Sequence, residues 1–116
     1  MAPSLAQAPV PLALQSLEKG AWEAAPRASE EKVRNICLGD PRQLLQLHHQ
    51  RKHCTFHVVE DRANSVIVHY SCPGAGQGRT MLRIETSRLV QIHTQGVASG
   101  APFALAYEAR RKGECR

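Results

Sequence analysis

Cys54-Thr-Phe-His-Val-Val59 and Val66-Ile-Val-His-Tyr-Ser-Cys72 flank a polar segment, Glu60-Asp-Arg-Ala-Asn-Ser65. Both runs alternate in the period of half-buried strands, and the segment between them has turn composition. Folding the runs about Ala63 sets Phe56 opposite Tyr70, Val58 opposite Val68 and Cys54 opposite Cys72. Those six side chains then share one face, as cross-strand neighbours do, and a Cys54–Cys72 bridge is within reach. On the other face His57 and His69 become a solvent-exposed pair. A slip of one residue would send every side chain to the opposite face, so the fold depends on this register.

Upstream of the hairpin, Ser16 to Ala25 carries Leu17 and Trp22 and is expected to hold an opening strand. Arg27 to Glu31 is a charged turn, and Val33 to Cys37 alternates into a strand that ends at Gly39. Asp40-Pro41 has the residues of a helix start, a carboxylate cap followed by a proline in the first turn. One short helix is expected from Pro41 to about Gln50, anchored by Leu44, Leu45 and Leu47. Downstream, Pro73 to Gly78 is glycine-rich and is expected to be a loop. Strands are expected at Met81 to Glu85 and Leu89 to Thr94, a loop at Gly96 to Gly100, and a last strand through Phe103, Leu105 and Tyr107. The expected fold is mainly β (α+β): an antiparallel meander of about seven short strands with one short helix. Residues 1–15 hold no charged side chain and are rich in Pro and Ala, so they are expected to be a disordered tail before a single domain at 16–116.

The four cysteines, Cys37, Cys54, Cys72 and Cys115, lie within that domain and include no Cys-x-x-Cys. An even set in a small domain points to two disulfides and an oxidising compartment. Three pairings are possible. The hairpin register favours Cys54–Cys72 with Cys37–Cys115. Cys37–Cys54 with Cys72–Cys115 remains open, and would close a first loop of roughly 17 residues, worth about 3 kcal/mol on the chain-entropy model. Ala6-Gln7-Ala8 fits the small-x-small rule of signal cleavage, without the charged and apolar stretch that should precede it, and is read as the remnant of a truncated signal peptide. Export to the periplasm, or secretion, is therefore expected.

Composition narrows the function classes. The chain has 116 residues, with 15 Lys plus Arg against 10 Asp plus Glu. No apolar stretch approaches the roughly 20 residues of a membrane-spanning helix. Nucleotide-binding glycine motifs, metalloprotease motifs and the Gly-x-Ser-x-Gly elbow are missing. The net charge of +5 is scattered, apart from short clusters at Arg51-Lys52 and Arg110-Arg111-Lys112, and aromatic residues to stack on bases are few. Nucleic acid is thus disfavoured as a partner, while an anionic envelope component remains compatible. His53, Cys54 and His57 are close in sequence, but on a strand Cys54 faces away from the two histidines, so no metal site and no cofactor is assigned. Trp22, the sole tryptophan, is a candidate for lining a ligand pocket as well as for the core.

Lys19-Gly20-Ala21-Trp22-Glu23, Cys37-Leu38, Cys54-Thr55, Cys72 and Arg110-Arg-Lys-Gly-Glu-Cys115 follow one another in a recognisable order. The chain resembles a family of small bacterial exported proteins of unknown function, with a Gly-x-Trp-Glu opening, four spaced cysteines and a Gly-x-Cys close. The resemblance covers about residues 17 to 115. It implies a periplasmic protein, some members of the family being lipoproteins, and supplies no catalytic residue. No cysteine near Met1 offers a lipid attachment site. The expectation is an exported, non-enzymatic binding or envelope-associated domain; the alternative is an intracellular basic protein that binds nucleic acid or zinc.

Overall fold

The computed structural model describes residues 10–27, 30–49 and 53–115. Ala6-Gln7-Ala8 and the Arg51-Lys52 cluster lie outside them. Seven strands, β1 (Gly20–Pro26), β2 (Arg34–Leu38), β3 (Thr55–Asp61), β4 (Ser65–Cys72), β5 (Gly76–Thr86), β6 (Leu89–Ala98) and β7 (Ala101–Gly113), form one antiparallel sheet. Its order is β2-β1-β7-β6-β5-β4-β3. The meander is continuous from β3 to β7, and the β1–β2 hairpin joins it through β7. Alternating direction along seven strands leaves the two edge strands, β2 and β3, pointing the same way. A hairpin cannot link parallel strands, so the chain must run back from one end of the sheet to the other.

That return is a strap, η2 (Pro41–His49), which packs against β4, β5 and β6. Asp40 starts it as the sequence indicates. Its Oδ1 accepts from the Arg42 N–H at 3.0 Å, and Gln43 Oε1 accepts from the N–H groups of Gly39 and Asp40 at 3.1 and 3.2 Å. Gln43 reaches back as the third residue of a capping box does, while Asp40 caps the N–H two residues on. Past the cap the strap is 3-10 helix, broken at Gln46 (φ −124°, ψ 45°), rather than one regular helix. Nine residues rise about 14 Å as α-helix but about 18 Å as 3-10 helix, so the tighter winding reaches further across the sheet. The break also lets Leu44, Leu45 and Leu47 all bury, none above 1% exposed.

Beneath the strap lies the core, built from the inward residues Trp22, Ile36, Phe56, Val68, Leu82, Ile92 and Tyr107 and their neighbours. The strap's backbone is held by a run of buried hydroxyls. Thr80 Oγ1 donates to the Leu45 carbonyl at 2.6 Å and accepts from Thr94 Oγ1 at 2.9 Å. His49 Nε2 lies 3.3 Å from the Ala75 carbonyl and His49 Nδ1 2.7 Å from the Tyr70 hydroxyl. A carbonyl only accepts, so Nε2 carries the proton and Tyr70 donates to Nδ1. Burial pushes the Tyr70 phenol up to about 12, with the nearby Thr94 hydroxyl opposing, which keeps that proton in place. The strap's outer end is fixed by Arg34, which donates to Tyr107 OH (3.3 Å), Leu47 O (3.1 Å) and His48 Nδ1 (3.2 Å).

The β3–β4 register is the one expected, with Phe56 opposite Tyr70, His57 opposite His69 and Val58 opposite Val68. A bulge between Val58 and Glu60 then shifts the pairing by one. It leaves Val58 41% exposed on the edge strand, so five of the six expected face-sharing residues are buried, not all six. Both disulfides take the favoured pairing. Cys54–Cys72 closes the hairpin with Cα atoms 4.2 Å apart, and Cys37–Cys115 (5.6 Å) reaches over β1 to tie β2 to the residues after β7.

Two sequence boundaries are corrected. The tail does not extend to residue 15: Leu12–Leu14 form a 3-10 turn, η1, with Ala13 and Leu14 fully buried. The Leu12 N–H donates to Asp61 Oδ2 at 2.8 Å, which anchors this segment on the β3–β4 hairpin. Strands β5 and β6 also run through glycines expected to be loop. Gly78 lies in the ladder beneath Tyr70, where an added Cβ would come within 2.5 Å of the phenol oxygen, and a Cβ on its partner Gly96 would collide with the Gln77 carbonyl. The true β6–β7 turn is only Ser99-Gly100, both at positive φ (51° and 80°), as a two-residue hairpin of this hand requires.

Two outcomes follow for stability. Loops of 78 and 18 residues are worth about 4.5 and about 3 kcal/mol on the chain-entropy model. Cys37→Ala/Cys115→Ala should therefore lose more unfolding free energy in urea than Cys54→Ala/Cys72→Ala; the reverse order would contradict the model. Burial first, then the charge of Arg34, lowers the His48 pKa below its ordinary 6.5, with Glu31 opposing. The folded state thus binds fewer protons at His48 than the unfolded state. This contribution is fully present above the ordinary value and is lost as pH falls through it toward the lower folded value. His48→Gln should lose less stability than the parent between about pH 7.5 and about pH 5.5; parallel losses would exclude His48 as the source.

A candidate anion-binding groove on the outer sheet face

Strand alternation sends one residue in two to the face away from the strap. Register places these in rows that cross the sheet. His57, His69, Arg79, Gln95 and Ala104 make one row. Glu60, Ile67, Met81, His93 and Ala106 make the next. Ser65, Arg83, Gln91 and Glu108 make a third. Rows lie about 7 Å apart along the strands, and strands about 4.8 Å apart across them.

Arg79, Gln95 and Ala104 of the first row and Ile67, Met81, His93 and Ala106 of the second line a cleft of about 480 Å³, with Arg27 at its β7 side. A second cleft of about 460 Å³ shares Arg79, Gln95 and Ala104 with it and extends to Gln77 and Phe103. Together they form one open groove, with Arg79 in the part common to both. The small side chains of Ala104 and Ala106, between the longer ones of Met81, His93 and Arg27, leave the depression.

Among the described residues no carboxylate lines either cleft. The acids nearest the groove stay outside its lining and are held by cations, Glu60 at the β3 end of the second row by Arg62. Glu108 receives bonds from Gln91 (3.1 Å) and Arg110 (3.1 Å), which lower its carboxyl pKa, and Glu85 accepts from Arg83 at 3.1 Å. Arg27 is tethered to Gln91 at 3.0 Å and to Glu108 at 3.5 Å. Arg79, by contrast, has no hydrogen bond or ion pair with any described residue. Its guanidinium, exposed and flanked across the strands by His69 and Gln95, presents donors without an internal acceptor. Such a site is suited to an oxyanion.

The residues singled out from the sequence fall elsewhere. All four cysteines are in disulfides, so no thiolate is left as a nucleophile or as a zinc ligand. Trp22 is 1% exposed with its indole N–H bonded to Glu18 O at 2.9 Å. It is a core residue and lines neither cleft of the groove, so the pocket role is corrected. His57 and His69 are opposed and exposed, as expected. Among the described residues no cluster of three His, Cys, Asp or Glu could hold a metal, and no helix is long and apolar enough to cross a membrane. Arg79, Ile67, Met81 and His93 were not singled out. The outward phase of each strand was legible, but they meet only through the β4–β5–β6 registers. A further cleft of about 620 Å³ lies between η1 and the β2–η2 corner, lined by Leu14, Leu17, Leu38 and Pro41. Of its charged rim, Asp40 and Arg42 are paired with each other at 2.8 Å, leaving Lys19.

Comparison with protein-family models, with curated proteins and with solved structures gave no match.

An exposed side chain kept for recognition should be dispensable for folding. Arg79→Ala should change unfolding free energy by no more than about 0.5 kcal/mol, whereas Arg34→Ala, which strips three bonds from the strap, should cost about 1–3 kcal/mol. Equal losses in urea titrations would give Arg79 a structural role instead.

Proposed function

We propose that this is an exported, periplasmic or secreted, non-enzymatic domain that binds an anionic component of the cell envelope through its outer sheet face. The observation that carries it is the state of the cysteines. All four are joined, and the two bridges secure both edges of the sheet. Disulfides persist in oxidising compartments, and small domains with thin cores rely on them. The four-cysteine order, the Gly-x-Trp-Glu opening and the Gly-x-Cys close agree with the bacterial exported family that the sequence resembles. Binding rather than catalysis is favoured by the groove, which offers a guanidinium, imidazoles and side-chain amides beside an apolar floor.

Protein purified from its native compartment and alkylated without reductant should keep its mass, and should gain four alkyl groups after reduction. Four modified thiols without reductant would overturn the exported reading and favour an intracellular basic protein.

A further inference from the structure

We infer that the groove takes an anionic amphiphile one molecule at a time, its phosphate- or carboxylate-like head on Arg79 and its apolar chain across Ile67, Met81 and Ala106. This rests on the outer face being the binding surface. The adjacent rows divide the work. Arg79, His69 and Gln95 form a cross-strand row of donors or potential donors. One row further along, Ile67, Met81 and Ala106 form a strip that crosses from β4 to β7, about 14 Å over three strand spacings, with His93 within it. Met81 is 41% exposed, one of the few large apolar side chains that the fold leaves in water. Beyond it Arg83 is paired with Glu85, and Gln91 and Glu108 are bonded to each other and to Arg27 and Arg110, so the strip is closed on that side by satisfied charges.

This order of a donor row with a free guanidinium, an apolar strip and a neutralised border matches a ligand that has an anionic end and an apolar length. An inorganic anion would use only the first row. A cation would meet no carboxylate among the described residues of the lining. The groove lies within the range of about 300–1,000 Å³ usual for small-molecule sites, which suits one amphiphile rather than a bilayer face.

Dodecyl phosphate, kept below the concentration at which it forms micelles, is the probe. It is titrated into protein whose two disulfides have first been verified by mass, with amide shifts of β5, β6 and β7 as the readout. Saturable binding should appear at these strands, with inorganic phosphate at least about tenfold weaker for want of a chain. Arg79→Ala should weaken dodecyl phosphate by about tenfold or more through the lost charge-assisted bond. Met81→Asp, at a second exposed position, should weaken it as well, while Arg88→Ala, in the β5–β6 turn and paired with Glu18, should not. Equal affinity for inorganic phosphate would overturn the amphiphile. So would an unchanged Arg79→Ala, or binding seen only with phosphatidylglycerol vesicles. Such a failure in verified, fully oxidised protein refutes the ligand class and leaves the exported disulfide domain standing, whereas four alkylatable thiols refute the latter.

Discussion

Seven antiparallel strands leave two parallel edges that no hairpin can join, and the chain must therefore cross one face of the sheet to connect them. The rest of the structure depends on that crossing. The strap from Pro41 to His49 supplies the leucines that fill the core, and its carbonyls need donors from the sheet below. Thr80 and Arg34 supply them, at Leu45 and Leu47 respectively. Buried backbone groups without such partners would cost as much as lost hydrogen bonds, so the polar residues under the strap are conditions of the fold. Tyr70 and His49 close the same interface at the end where β4 turns into β5.

The disulfides act at the places this topology leaves weakest. Edge strands have pairing on one side only, and β2 and β3 are both edges. Cys37–Cys115 holds β2 to the residues after β7 from across β1, and Cys54–Cys72 holds the start of β3 to the end of β4. Because the strap and the core occupy one face, the other is free to carry chemistry. Its acids are gathered beside Arg27, Arg83 and Arg110, while Arg79 is left without a counter-charge among the described residues. The proposed binding of an anionic ligand follows from that asymmetry rather than from the modest net charge of the chain.

Much of the fold was legible because strands with one buried face write their phase into the sequence. Phe56, Val68 and Tyr70 declared an inward face, and the spacing of Cys54 and Cys72 agreed with it. Glycines misled, since Gly76, Gly78 and Gly96 have loop composition yet sit in the ladder; Gly78 and Gly96 do so because neighbouring atoms occupy the space a side chain would need. The Pro- and Ala-rich start misled in the same way. Leu12–Leu14 is too short to show a period, and Ala13 and Leu14 are buried only because Asp61, far along the chain, receives the backbone there.

By itself the sequence determined seven strands, the hairpin register, the helix cap at Asp40 and the outward placement of His57 and His69, all of which are local: they depend on alternation and on side chains within a few residues of one another. Only the tertiary structure decided that β7 pairs with β1, that the helical segment becomes a broken 3-10 strap, and that Arg79, Met81 and His93 border one groove. Those features depend on which distant strands become neighbours. Strand pairing at long range is set by the closure of the whole sheet around its core, and residues on β4, β5, β6 and β7 share a site only once that closure has fixed every register between them.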